Sequence, residues 1–577
     1  MKKLFTKGIM SVLALTFAFG AVGCGGLGGD SDATVIYVQN FGGGVGREWL
    51  DNAIVRFQEK VKDTEYETGK KGVEFDITSS TKVSYMDIKT SGEHLYFVQP
   101  TDSVQLKMQE GLFLDLTDIV TSELETIDGE SVSIEDKITE DYRYAFQAND
   151  GKYYTLPHYE LYAAVSYDQD MFDKYGLYFA DSTDGEKYTC SLTKQDVYFV
   201  SNKNVKKSCG NDGKYGTDDD GLPTTLFELV ALCDYMKENA SITPFVVSGD
   251  HIGYTAHLLD ALWAAMAGYE ARASVHSFEG KVQTVTGFSD APLFPGVSSI
   301  KAPETAEADV KTSTGYKAVN QVGRYYASAF LELAEKQGWI DKRSTQNSFT
   351  HKDAMRAFIL NNDTKVGMHI EGTYWYNEAK SYGLFEEYKR VNVTDTDKRI
   401  QYLHMPTSLN TPVTENNGRE EIMVSNHTAY AMINGNLAQK SGQEGVIKAC
   451  KDFLKFLYTE EELQSFTATT GVVKLAMNYQ VGEDTLNLLS DYQQSVMKLR
   501  NNNRVVQQLA NNELFIKNKT LFTWGPSLGW KPQLDSMHTY DNFIVAYRAG
   551  SNAQTCFEKT GYTQSGWESR FSDYFED

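Results

Sequence analysis

Thr34-Val35-Ile36-Tyr37-Val38-Gln39-Asn40-Phe41-Gly42-Gly43-Gly44-Val45-Gly46 decides the reading of the fold. Val35 to Val38 form an uninterrupted apolar run, as in a strand buried on both faces. The Gly-rich turn leads into Leu50, Ile54, Phe57 and Val61, spaced as one face of a helix. Beyond it, Val73, Phe75 and Ile77 alternate, and Leu95–Val98 is another apolar run followed by a short helical stretch to Gly111. Strands alternating with helices indicate an α/β protein with a largely parallel sheet. In such sheets ligands bind outside the carboxyl ends of the strands. The turn after the first strand and the segment after Val98 are therefore expected at a site. The turn is no dinucleotide fingerprint, because Arg47 and Trp49 stand where a third glycine belongs, and no phosphate-cradling GxxxxGK[ST] occurs.

The chain has 577 residues, which implies two or three domains. Hydrophobic residues make up 41% and charged residues 23%, a globular composition. With 78 acidic against 55 basic residues the net charge is −23, which argues against nucleic acid as a partner. Tyrosine (35) and phenylalanine (30) are abundant, supplying flat apolar faces, half of them with a polar tip.

Met1–Gly23 reads as a processing segment. Lys2, Lys3 and Lys7 precede an apolar run too short and too rich in Gly and Ala to span a bilayer. It ends at Ala21-Val22-Gly23-Cys24, which resembles a bacterial lipobox with Ala21 where Leu is usual. That resemblance implies diacylation of Cys24, with the following Gly-rich stretch as a tether. The competing reading is an ordinary signal peptide cut nearby.

Cys233 and Cys450 lie on apolar helical stripes and read as small core residues. Cys190 and Cys209 flank a polar segment and can form a disulfide outside the cytoplasm. Residues 180–222 read as an irregular insertion. Its Gly210–Gly221 stretch carries Asp212, Asp218 and Asp220 as candidate calcium ligands. An EF-hand register fails there, with Gly216 at position one and Phe227 at position twelve, so a solvated turn is the competing reading. Thr225 and Glu228 form a capping box for the next helix. Tyr254–Gly268, Val322–Leu333 and Asp353–Leu360 read as helical, Val366–Ile370 as a strand, and 276–315 as a surface excursion.

Several separated segments together resemble one family. Gly151-Lys152-Tyr153-Tyr154-Thr155-Leu156-Pro157 resembles the G-x-Y-Y-x-L-P segment of carbohydrate-binding extracellular solute-binding proteins of ABC importers, family 1, maltose-binding-protein-like. Val165–Phe172 and Tyr175-Gly176-Leu177 follow as there, with Tyr167-Asp168 for the usual Tyr-Asn. Val366–Trp375 resembles the family's M-x-x-x-G-x-W strand and turn, and Ala449–Gly471 its late helix and turn. The resemblance covers residues 33 to 480.

It implies a two-lobed, periplasmic-binding-protein-like α/β fold with a hinge and an interlobe cleft that closes on ligand. The implied layout is 1–23 signal peptide, 24–32 lipidated cysteine and tether, 33–157 and 410–475 lobe 1, and 158–409 and 476–577 lobe 2. Insertions fall near 180–222 and 276–315. It further implies a carbohydrate ligand and ABC permease subunits as partners. The lipobox reading places the chain, lipid-anchored, on the extracytoplasmic face of the membrane; a monomer is expected, and no cofactor apart from the candidate calcium.

A sugar offers hydroxyl groups and an apolar C–H face, which call for planar polar groups and aromatic platforms. The candidates are Asn40, Phe41, Gln99 and Asp102 at strand ends, Tyr159 and Glu160 after Leu156-Pro157, and Trp263 on the expected helix. Tyr374 and Trp375 follow, one of which is expected to stack on ligand, with Trp524 and Trp530 in a Gly/Pro-rich loop. A peptide receptor and a surface glycan-degrading enzyme are the alternatives. Gly525-Pro526-Ser527-Leu528-Gly529 matches G-x-S-x-G, but Pro532 stands where the helix of a nucleophile elbow should run. No catalytic residue is expected.

Overall fold

The computed structural model describes residues 32–80, 85–99, 104, 108, 110–124, 129–362, 364–425, 429–509 and 542–575. Cys24, Asp102, Trp524, Trp530 and the Ser527 segment lie outside them.

Two sheets organise two lobes. The first lobe holds strands β1 (Thr34–Phe41), β2 (Val73–Ser80), β3 (Leu95–Val98) and β4 (Leu156–Pro157). The second holds β5 (Val165–Asp168), the hairpin β6 (Glu186–Thr189) and β7 (Asp196–Phe199), and β8 (Thr243–Val246). It also holds the long hairpin β9 (Lys281–Pro292) and β10 (Lys301–Asp309), then β11 (Val366–Ile370) and β12 (Ile400–Tyr402). β13 (Met423–Ser425) lies between the lobes, β14 (Tyr430–Ile433) returns to the first, and β15 (Val505–Gln507) pairs with β13.

The first sheet runs β2-β1-β3-β14-β4 and the second β12-β5-β11-β8. Both are mixed, which corrects the largely parallel expectation. β2, β1 and β3 are parallel, whereas β14 is antiparallel to β3 and β4. β11 is parallel to β8 and antiparallel to β5, which also runs against β12. The cause is topological: β5 and β14 each enter a sheet from the segment that joins the lobes, so each runs away from the junction. All their neighbours run toward it. The carboxyl ends of β1, β3, β4, β8, β11 and β12 therefore face the space between the lobes.

Each sheet is covered by amphipathic helices. α1 (Glu48–Val61) buries Leu50, Ile54, Phe57 and Val61 as their spacing requires. α2 (Leu226–Glu238) opens on the Thr225/Glu228 capping box. α3 (Thr255–Ala267) and α4 (Val322–Lys336) pack against each other in the second lobe. The excursion at 276–315 is the β9–β10 hairpin, paired from Lys281↔Asp309 to Pro292↔Lys301. Residues 542–575 pack on α4, through the Ser328–Tyr547 hydrogen bond of 2.7 Å and through Ala553 N–H on Glu332 Oε2.

Among the described residues three segments cross between the lobes, around residues 158–164, 424–429 and 471–474, and they are hydrogen-bonded to one another. The first, 158–164, donates from Glu160 N to Val473 O (2.9 Å) and from Ala163 N to Val424 O (2.8 Å). Its His158 N donates to Ala429 O at 3.0 Å, in the second crossing segment. Val473 belongs to the third. Pairing among crossing segments satisfies their buried backbone groups, as any buried segment must. Residues 410–422, expected in lobe 1, instead pack on the second-lobe insertion, where Arg419 N donates to Asn211 O (2.7 Å) and Asn416 N to Gly213 O (2.9 Å).

Cys190 and Cys209, which could have paired as a disulfide, are both free and buried. Cys190 lies beside Asp234 of α2, its Sγ 3.6 Å from Oδ2, while Cys209 faces the Asp181 and Asp219 carboxylates. The 212–220 carboxylates are tied into the turn rather than gathered around an ion. Asp212 Oδ1 accepts from Lys214 N (2.7 Å), Asp220 Oδ2 from Gly216 N (2.7 Å), and Asp219 Oδ2 from Asp212 N (3.0 Å). Asp218 instead faces Lys498 at 3.7 Å. No helix among the described residues is long and apolar enough to cross a membrane.

Candidate functional site: the interlobe cleft

On the first lobe the site begins with the turn after β1. Gly44 and Gly46 have φ of +63° and +69°, the left-handed region that glycine enters without steric cost. A Cβ on Gly44 would also lie 3.1 Å from the Tyr159 hydroxyl, so the turn seats directly against that ring. Asn40 is a brace for this turn: its Nδ2 donates to Phe41 O (2.9 Å) and Gly46 O (3.1 Å) and the side chain is buried. Gln99, just past β3, donates from Nε2 to the Tyr159 hydroxyl at 2.8 Å. Phe41 and Gln99 stay half-buried beside this turn.

The second lobe answers with the turn after β11. Gly44 N donates to Glu378 Oε1 at 2.9 Å, joining the first-lobe turn to the helix α5 (Trp375–Ser381) across the cleft. Beside it stand Glu371, Tyr374, Tyr254 and His257. The Tyr374 hydroxyl lies 3.5 Å from His257 Nε2, and its ring centroid is 6.2 Å from that of Tyr254, edge to face. Burial pushes the Glu371 carboxyl well above the usual carboxylate range, and the neighbouring Glu378 adds to the shift. Burial also raises Glu378, against the Gly44 N–H that favours its ionised form. Glu371 is fully enclosed and the equally enclosed His369 Nε2 stands 3.4 Å away, out of line for a hydrogen bond. Burial holds that imidazole neutral, its pKa lowered to about 3.

The structure thus brings Phe41, Gln99, Tyr159 and Tyr374 to one cleft and removes three other expected residues from it. Trp375 points into the second-lobe core, its Nε1 donating to Ser166 Oγ (2.9 Å) and the Tyr492 hydroxyl (3.1 Å). Trp263 is enclosed between α3 and α4, its Nε1 on Gln321 Oε1 (3.1 Å) and its ring under the Arg272 guanidinium at 4.3 Å. Glu160 is buried in the first crossing segment, where the Arg500 guanidinium opposes the rise that burial imposes on its carboxyl. Glu371, Glu378, Tyr254 and His257 were not singled out by sequence. Glu378 carried a signal, since it falls one helical turn after Tyr374 and shares its face.

No protein-family model matches the sequence, and no curated protein sequence matches it. Solved structures do match. Maltose-bound MalE3 of T. maritima aligns with a TM-score of 0.50 at 11% identity, over 93% of this chain and 100% of that one. A cyclic α-maltosyl-1,6-maltose binding protein from Arthrobacter globiformis aligns at 0.48 and 11% identity, over 94% and 100%. A chitin oligosaccharide binding protein aligns at 0.47 and 14%, over 92% and 100%. The MalE3 likeness, with the two sheets and three crossing segments, shows the fold: a two-lobed, periplasmic-binding-protein-like α/β architecture with a hinge and an interlobe cleft.

Proposed function

We propose that this protein is an extracellular solute-binding protein that captures a carbohydrate, of oligosaccharide size, between its lobes and delivers it to an ABC import permease. It acts by binding and closure, without chemistry, and is held at the membrane by a lipid on Cys24. The observation that carries this reading is the meeting of strand carboxyl ends from both lobes at Gly44 and Glu378. Aromatic rings (Phe41, Tyr159, Tyr254, Tyr374) stand there beside planar polar groups (Gln99, Glu378). Rings suit the C–H face of a pyranose, and carboxylate and amide groups suit its hydroxyls. The maltose bound by the MalE3 neighbour agrees with it. A glycosidase needs a pair of carboxyl groups flanking the glycosidic bond; Glu371 is fully enclosed, which leaves Glu378 as the carboxyl that borders the cleft among the described residues.

A thermal-shift panel of mono-, oligo- and polysaccharide fragments, with peptides as controls, tests the reading. A ligand at about 100 times its Kd stabilises the folded state by ~2.7 kcal/mol. The expected result is a rise in Tm with one glycan class, the sugar being recovered intact. A rise with peptides alone, or turnover of the glycan, would overturn the carbohydrate-receptor assignment.

A further inference from the structure

Among the described residues, one cluster of metal-ligating side chains lies outside the cleft-lining groups. The loop after β8 carries Ser248-Gly249-Asp250-His251, and His351 opens the helix α6 (His351–Leu360). The two stretches are clamped together by backbone: Gly249 N and Asp250 N both donate to Phe349 O, at 2.8 and 3.1 Å. The approach requires glycine, because a Cβ on Gly249 would fall 2.2 Å from Gln346 O.

We propose that Asp250, His251 and His351 form a zinc-type divalent metal site on the second lobe. One ligand atom of each lies within 4.8 Å of the others. Asp250 Oδ2 stands 3.8 Å from His251 Nε2 and 4.0 Å from His351 Nδ1. These separations are too long for hydrogen bonds. They sit just above the ~3.3 Å between two ligands of a tetrahedral ion with bonds of about 2.0–2.1 Å. Small side-chain rotations close the difference, since His251 is exposed.

A second observation points to a ligand. His351 Nδ1 is enclosed and has no hydrogen-bond partner, while Nε2 lies 3.1 Å from the Tyr382 hydroxyl. An Nε2–H donated to Tyr382 leaves the Nδ1 lone pair facing Asp250, the outer-shell arrangement that orients metal-binding imidazoles. Ser248 Oγ donates to Asp250 Oδ1, which leaves Oδ2 for the ion. Two imidazoles and one carboxylate suit zinc, with water in the fourth position. The His251 ring stacks on Tyr254 at 5.2 Å, so the ion would hold in place a ring that borders the cleft.

Isothermal titration of the whole chain with zinc chloride tests this, alongside Co2+ absorption as a geometric readout. The expected result is one site with tetrahedral Co2+ bands. His251→Ala and Asp250→Asn should each weaken zinc by at least about tenfold while leaving the metal-free melt unchanged. His351→Ala should do the same to zinc, and a lowered melt in that variant leaves the other two as the test. No zinc heat in the parent chain, unchanged affinity in His251→Ala and Asp250→Asn, or the charge-transfer bands of a thiolate–Co2+ complex would overturn the site.

Discussion

Trp375→Ala is expected to destabilise the protein by about 3–5 kcal/mol, the cost of truncating a fully enclosed tryptophan. The indole contacts the rings of Phe358, His369, Tyr376 and Tyr492, with centroids 5.1 to 5.8 Å away. Its N–H is satisfied twice. Truncation leaves a cavity behind the cleft, although Ser166 Oγ and the Tyr492 hydroxyl, 3.1 Å apart, still bond each other. The measurement is calorimetric unfolding of the ligand-free variant. A large fall in stability marks a core residue; native stability with sugar affinity lost would make Trp375 the stacking platform instead.

The second large effect is a pH dependence centred on Lys474, in the third crossing segment. Its side-chain amine is fully enclosed over Phe466 (4.3 Å), Trp49 (4.9 Å) and Tyr458 (5.2 Å). It sits 3.4 Å from His158 Nδ1, a ring that burial and this lysine keep neutral. Burial lowers the Lys474 pKa to about 7, with Glu462 pulling it back up. Unfolded lysine titrates at about 10.4. Between these values the unfolded chain holds a proton that the folded chain lacks. Stability from this group therefore rises with pH through that window, is complete only above the unfolded pKa, and is lost as pH falls through 7. Lys474→Met should abolish the rise: the stability of the parent relative to the variant should climb by about 1.4 kcal/mol per pH unit between pH 7.5 and 9.5. Parallel urea-denaturation curves across that range would contradict the burial of a neutral amine in the hinge.

Much of the scaffold was legible because it rests on local signals. β1, β3 and β11 are apolar runs, α1 follows from Leu50, Ile54, Phe57 and Val61, and α2 starts at its capping box. What escaped is decided over long range. The antiparallel entry of β5 and β14 depends on which lobe the chain is leaving. The β9–β10 hairpin hides in a Ser/Thr/Ala/Pro-mixed stretch whose strands bury only Val282 and Thr284, so burial imposes little alternation. At the site, Tyr374 and Trp375 are neighbours at a helix start, where successive side chains diverge by about 100°. Sequence can place the pair at the cleft edge but cannot choose which ring turns inward. Asn40 shows the same limit: a strand-end amide suits a sugar hydroxyl, yet here it holds the turn that presents Gly44.

The central claim is that two lobes close around a carbohydrate. Small-angle scattering of the chain, before and after adding the glycan that gives the largest thermal shift, tests it most directly. Closure about the three crossing segments predicts a smaller radius of gyration at saturation, with unchanged mass. A bound glycan that leaves the scattering curve unchanged would contradict it.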